Sequence, residues 1–98
     1  MPAYVIAQIE VNDQQEYRKY QLAFKAASEK FGCRVLVATN YMELLEGNWP
    51  KVRNVVMEYP SMELAREWYK SKDYQNIIHH RHRSSMTNMI LVDGFPGL

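Results

Sequence analysis

The chain has a single cysteine, Cys33, among 98 residues. An internal disulfide and a cysteine-based zinc cage are therefore both excluded. Glycine and proline number four each, too few for a collagen-like or linker-like chain. Neither sign of charge predominates: 12 Lys plus Arg stand against 11 Asp plus Glu, a net charge of +1. That balance supplies no electrostatic footprint for nucleic acid or for an anionic membrane, and neither is expected as a partner. No apolar run approaches the roughly 18 residues that span a bilayer. The N-terminus lacks a basic n-region, and its apolar stretch stops at Glu10, too soon for a signal peptide. A cytoplasmic location is the expectation, where a lone thiol stays reduced. No internal repeat of solenoid period is present.

What is present is ordinary globular composition, with 47% hydrophobic and 23% charged residues. A chain of this length makes one domain with one modest core. Residues 3–10 read as a strand, rich in Val and Ile. Asn12 or Asp13 caps the following helix, and Glu16 completes a capping-box spacing with Asp13. Tyr17, Tyr20, Phe24, Ala27 and Phe31 form that helix's apolar stripe. Gly32 lies where a left-handed C-terminal residue belongs. Residues 34–45 are expected as a long second strand, with a turn over 46–50. Residues 52–59 form a third strand, stopped by Pro60. Ser61 caps a second helix carrying Leu64, Ala65, Trp68 and Tyr69. Ser71 breaks it, and in the next piece Tyr74, Ile77, Ile78 and Arg81 share a face. Residues 85–93 are the last strand, and the tail 95–98 is irregular.

The order β-α-β-β-α-β with a split second helix predicts an α+β, ferredoxin-like fold: a four-stranded antiparallel sheet with helices on one face. The uncovered face should then be polar. Instead both parities of the strands are apolar at the centre, as in Tyr4 and Ile6 against Val5, Ala7 and Ile9. A soluble monomer seldom exposes such a face, so a homodimer with sheets packed face to face is expected.

Two clusters carry candidate chemistry. In His79-His80-Arg81-His82-Arg83, His79 and His82 are spaced for a metal but lack a third ligand, so no metal site is assigned. His79 and His80 are the candidates for proton transfer. Arg81 lies on the inward stripe and needs an acidic partner or a bound anion, an internal ion pair being the more frequent answer. In the second cluster, Trp49 either walls a pocket in which Glu46 and Arg53 orient a polar ligand, or plugs the core while Glu46 and Arg53 pair across the hairpin. Cys33 reads as a small filler, although Arg34 beside it would lower a thiol pKa. No phosphate-binding glycine loop or serine–histidine–aspartate order occurs, and no cofactor is expected.

Several strings resemble those of one small bacterial family. Leu45-Glu46-Gly47-Asn48-Trp49 resembles its "LEGxW" core. Val55 to Ser61 is similar to its "VVIEFPS" junction. Ala65, Trp68-Tyr69, Ser71, Tyr74, Ile78 and Arg81 match its helix pattern, and Val92-Asp93-Gly94 its closing "VDG". The chain thereby resembles the domain of unknown function 1330 family, of the dimeric α/β-barrel superfamily. The resemblance implies a ferredoxin-like protomer and a barrel-like dimer, and no established reaction. The superfamily includes cofactor-free monooxygenases, lactone isomerases and haem-binding members that use a cleft between sheet and helices. By that analogy Glu46, Trp49, Arg53 and Arg81 line a ligand-binding cleft. The family's "GGRYLVRGG" segment is replaced here by Gly32 to Asn40, which removes an arginine and glycines near that cleft. Two functions of different class fit these residues: a small-molecule binder or enzyme, with Arg53 or Arg81 holding an anionic or carbonyl group, or a non-catalytic structural, stress-related or regulatory dimer. A closed cleft with Glu46, Arg53 and Arg81 paired internally favours the second. An open, partly apolar cleft with unpaired polar groups favours the first.

Overall fold

The computed structural model describes residues 1–96, so Gly97 and Leu98 of the expected irregular tail lie outside the described residues. The elements are β1 (Ala3–Val11), α1 (Gln14–Ser28), a 3-10 turn (Glu29–Phe31), β2 (Arg34–Thr39), β3 (Arg53–Tyr59), α2 (Met62–Lys70), α3 (Lys72–Gln75), α4 (Ile78–Ser84) and β4 (Ser85–Asp93). The strands form one antiparallel sheet in the order β2-β3-β1-β4. This is the ferredoxin-like order, with each crossover carrying the chain from a central strand, β1 or β3, over its neighbour to an edge strand, β2 or β4.

The element ends follow local chemistry. Asp13 caps α1, its carboxylate accepting from the Glu16 amide at 3.1 Å. The reciprocal half of a capping box is absent. The Asp13 amide donates to the Ser84 carbonyl at 3.2 Å, which frees the Glu16 carboxylate to reach His80 and Lys19. Ser61 caps α2 by accepting from the Leu64 amide. Ser71 serves two helices: its Oγ donates to the Trp68 carbonyl at 2.7 Å and accepts from the Tyr74 amide at 3.2 Å. The split expected at Ser71 is therefore real, and a further break at Asn76–Ile77 makes three helical pieces. Gly32 ends the 3-10 turn at φ 77°, and a Cβ there would stand 2.7 Å from the Pro60 ring.

One expected strand is too long. β2 stops at Thr39 and does not run to Leu45. Thr39 pairs with Asn54, almost the first residue of β3, so residues 40–45 have no strand opposite them. They continue as an exposed connection, with Tyr41, Leu44 and Leu45 open to solvent. A bulge between Val35 and Val37 further bends this edge strand.

The odd-numbered residues of β1 and β3 face the helices and are buried: Val5, Ala7, Ile9, Val55, Met57 and Tyr59. Against them pack Tyr17, Tyr20, Ala65, Trp68, Tyr74 and Ile78. Trp68 is the hub, its ring centroid 4.2 Å from Tyr74 and its indole N–H donating to Ser28 Oγ at 2.8 Å. Helices α2 and α4 cover β1, β4 and part of β3, whereas α1 packs chiefly on α4 and reaches the core cluster through side chains such as Tyr17 and Tyr20. Nothing among the described residues covers β2, which is exposed throughout. A gap therefore opens between α1 and the β2–β3 half of the sheet.

The other face of the sheet carries no helix. Its centre is apolar, with Ile6, Val37, Val56 and Ile90, and Ile90 is 56% exposed. Its ends are polar. At one, Glu58 accepts from the Tyr4 hydroxyl at 3.0 Å and pairs with Arg34 at 3.6 Å. At the other lie Gln8, Asn88 and Asn54. No helix is long and apolar enough to cross a membrane among the described residues.

Candidate functional site

The gap beneath α1 is a cleft in two parts that share Ile9, Tyr17, Gln21 and Arg53. The inner chamber, about 240 Å³, lies between aromatic and aliphatic walls. Tyr17, Tyr20 and Phe24 form the helix side; Val55, Met57 and Met89 are among the sheet residues opposite. The outer mouth, about 230 Å³, is polar and includes Gln14, Gln21, Asn40, Lys51 and Glu10. Arg53, the first residue of β3, stands at the junction because its parity turns it toward the helices.

The electrostatics of the cleft are unusual. Arg81 is only 3% exposed, as its place on the inward stripe of α4 predicts. No ion pair joins Arg81 or Arg53 to a carboxylate among the described residues. The internal ion pair expected for Arg81 is thus absent. Its guanidinium lies 5.7 Å from the Tyr20 ring centroid and beside the Tyr20 and Tyr74 hydroxyls. Those hydroxyls bond each other at 2.6 Å. The Nε atoms of both Arg53 and Arg81 are buried without a hydrogen-bond partner. A buried cation in that state carries a desolvation cost with no countercharge to offset it. Burial raises the Tyr17 hydroxyl pKa, and Arg53 followed by Arg81 pulls it back down. Both guanidiniums thus act on Tyr17, but only Arg53 lines the cleft; Arg81, expected there, lines neither part of it.

The four expected ligand residues separate into two pairs. Arg53 and Arg81 belong to the helix side. Glu46 and Trp49 belong to the connection between β2 and β3 and meet Asn54, whose side chain is on the opposite face from Arg53. The Trp49 indole donates to Asn54 Oδ1 at 2.9 Å. Trp49 is half exposed, so it does not plug the core, and no ion pair links Glu46 to Arg53 among the described residues. Adjacent strand residues point to opposite faces, which divides a cluster that is continuous in sequence.

His79 and His80 stack at 3.9 Å, and neither lines the cleft. His80 Nδ1 meets Glu16 Oε2 at 2.6 Å, tying α4 to the start of α1. Hydrogen bonds from His80, then from Lys19, hold the Glu16 carboxyl down to about 2. No group of three or more His, Cys, Asp or Glu side chains is placed to hold a metal among the described residues. Burial pushes the Cys33 thiol up, and the neighbouring Arg34 is engaged with Glu58, so the thiol is not activated.

Gln14 and Gln21, at the mouth, were not singled out from the sequence. Their signal is the helical spacing Gln14–Tyr17–Gln21, polar residues flanking the aromatic stripe on one turn and the next. Lys51 and Asn40 come from the irregular connection, where no periodicity marks them.

The fold has solved relatives. A protein of unknown function from Rhodopseudomonas palustris, RPA0582, superposes with TM-score 0.76 at 16% identity, covering 98% of this chain and 84% of that one. SnoaB, a cofactor-independent oxygenase from Streptomyces nogalater, gives 0.66 at 11% identity, covering 99% and 96%. HapK from Hahella chejuensis gives 0.60 at 10% identity, covering 97% and 94%. At these identities the likeness is one of fold. No curated protein matches the sequence. The family of the domain of unknown function DUF1330 matches residues 2–95, nearly the whole chain, and this protein belongs to it.

Proposed function

We propose that this protein binds a small molecule in the cleft between α1 and the β2–β3 half of the sheet, as a homodimer in the cytoplasm. The observation that carries the reading is Arg53, a half-buried guanidinium with an unpartnered Nε atom in an open, apolar-walled chamber, with the buried Arg81 against Tyr20 of the same wall. A purely structural dimer has no reason to keep Arg81 buried and Arg53 half-buried without a carboxylate partner, since apolar residues of like volume fill such space at no loss of stability. The chamber is smaller than the roughly 300–1,000 Å³ of a drug-sized site, which limits the ligand to a small molecule. Proton transfer is assigned to neither His79 nor His80, because neither reaches the chamber.

The homodimer is supported by the uncovered sheet face. Val37, Met86 and Ile90 are exposed on it, and the polar pairs at both ends frame an apolar centre. A second copy laid on that face removes the patch from water with two-fold symmetry. Sedimentation equilibrium of the wild type and of Ile90→Glu tests this. The expected result is a dimer for the first and a folded monomer for the second. A wild-type monomer at micromolar concentration refutes the dimer.

Binding is tested by amide spectra recorded during titration with a mixed set of small aromatic, aliphatic, anionic and neutral compounds. Shifts confined to Tyr17, Gln21, Arg53 and Met89 are the expected result. Shifts scattered over the surface, or confined to the Trp49 connection, refute this choice of cleft.

A further inference from the structure

We infer that the ligand class of this cleft is a small aromatic carboxylate, its ring in the inner chamber and its carboxylate on Arg53 and Lys51 at the mouth; this rests on the cleft being the binding site. Three features of the site lead there independently.

The first is the lining. The inner chamber lies between Tyr17, Tyr20 and Phe24 of α1 and sheet residues that include Val55, Met57 and Met89. A flat ring has its faces and edges satisfied by such walls, including thioether contacts from the two methionines. The second is charge. Arg53 is the one cationic residue common to chamber and mouth, and its buried Nε has no partner. Lys51 adds a second positive charge at the mouth, and Arg81 stands behind the Tyr20 side of the aromatic wall. An arginine fork matches a carboxylate in two parallel hydrogen bonds. The third is the distribution of polar groups. Gln14 and Asn40 line the mouth alone and Gln21 spans mouth and chamber, so a ligand entering ring first leaves its polar end where most of the polar lining groups are. Glu10 is also at the mouth, but its strand parity is that of Ile6 and Gln8, on the uncovered face of the sheet, and it pairs with no cation among the described residues.

The test is calorimetric titration of the intact protein with phenylacetate, its neutral amide phenylacetamide, and acetate. Phenylacetate is expected to bind about tenfold more tightly than phenylacetamide, the worth of one charge-assisted contact. Acetate, which lacks the ring, is expected to bind at least about tenfold more weakly than phenylacetate. Arg53→Gln should remove the preference for phenylacetate over its amide while leaving amide binding within about twofold. Lys51→Gln, an exposed change that leaves the core intact, should weaken phenylacetate about threefold and reduce its salt dependence even where the Arg53 variant fails to fold. Equal binding of acid and amide, unchanged in both variants, overturns the anion assignment and leaves the cleft standing. Equal binding of acetate and phenylacetate overturns the ring assignment. Binding of none of the three overturns both the ligand class and the cleft.

Discussion

Replacing Arg81 by Met should leave the stability of the protein almost unchanged, although Arg81 is among its most buried residues. Arg81 is 3% exposed, and the chain holds no carboxylate against it among the described residues. Burying an unpaired guanidinium costs several kcal/mol even after relaxation. Opposing that are the contact with the Tyr20 ring at 5.7 Å, worth about 2 kcal/mol when desolvated, and charge-assisted contacts with the tyrosine hydroxyls, worth about 1.5–3 kcal/mol. Methionine fills much of the same volume and removes the buried charge. It also leaves no new orphan, because Tyr20 and Tyr74 still bond each other at 2.6 Å. The terms cancel to within about 1.5 kcal/mol, or a melting shift of no more than about 10 °C for a domain of this size. Breaking a true buried ion pair instead costs about 3–5 kcal/mol. Urea unfolding of wild type and Arg81→Met, with equal m-values, measures the difference. A loss of about 3 kcal/mol or more would refute the reasoning, by showing that Arg81 is internally compensated.

Two further substitutions bear on the scaffold. Trp68→Phe keeps an aromatic ring against Tyr74 and Tyr59 but deletes the donor to Ser28 Oγ, in a site 1% exposed. A loss of about 2 kcal/mol is expected in thermal or urea unfolding, and a loss near zero refutes the role of that bond. Glu16 has its folded-state carboxyl lowered from 4.5 to about 2 by hydrogen bonds from His80 and Lys19. A depressed carboxyl contributes stability that is full above its unfolded pKa and is lost as pH falls through the folded one. Stability should therefore fall between about pH 4.5 and about pH 2, and Glu16→Gln should flatten that slope. An unchanged slope in the variant assigns the acid sensitivity to other groups.

Much of the fold is legible in the residues because it rests on local rules. Asp13, Ser61 and Ser71 cap helices wherever they precede an apolar stripe, and Gly32 takes the left-handed position because only glycine does so without strain. The inward turn of Arg81 follows from helical spacing with Tyr74 and Ile78. The overlong second strand shows where local rules fail. Residues 40–45 include Tyr41, Leu44 and Leu45, which have the composition of a strand, but a strand exists only where a partner lies opposite. The register Thr39 to Asn54 leaves none.

The candidate site divides in the same way. Its charged residue Arg53 and its aromatic stripe are visible in the sequence, and so is the apolar character of the uncovered sheet face. Glu46 and Trp49 are adjacent to Arg53 in the chain yet lie on the opposite face, because the parity of β3 turns Asn54 and Arg53 apart. The absence of any carboxylate beside Arg81 is a fact of packing that no spacing rule conveys. By itself the sequence determined the elements, their caps and their order, since these depend on neighbours within a few residues. Only the tertiary structure decided that α1 stands away from β2, that a cleft opens beneath it, and that Arg53 lines that cleft while Arg81 is buried against Tyr20, neither with a countercharge among the described residues. Those outcomes depend on which distant surfaces pack and which stay apart.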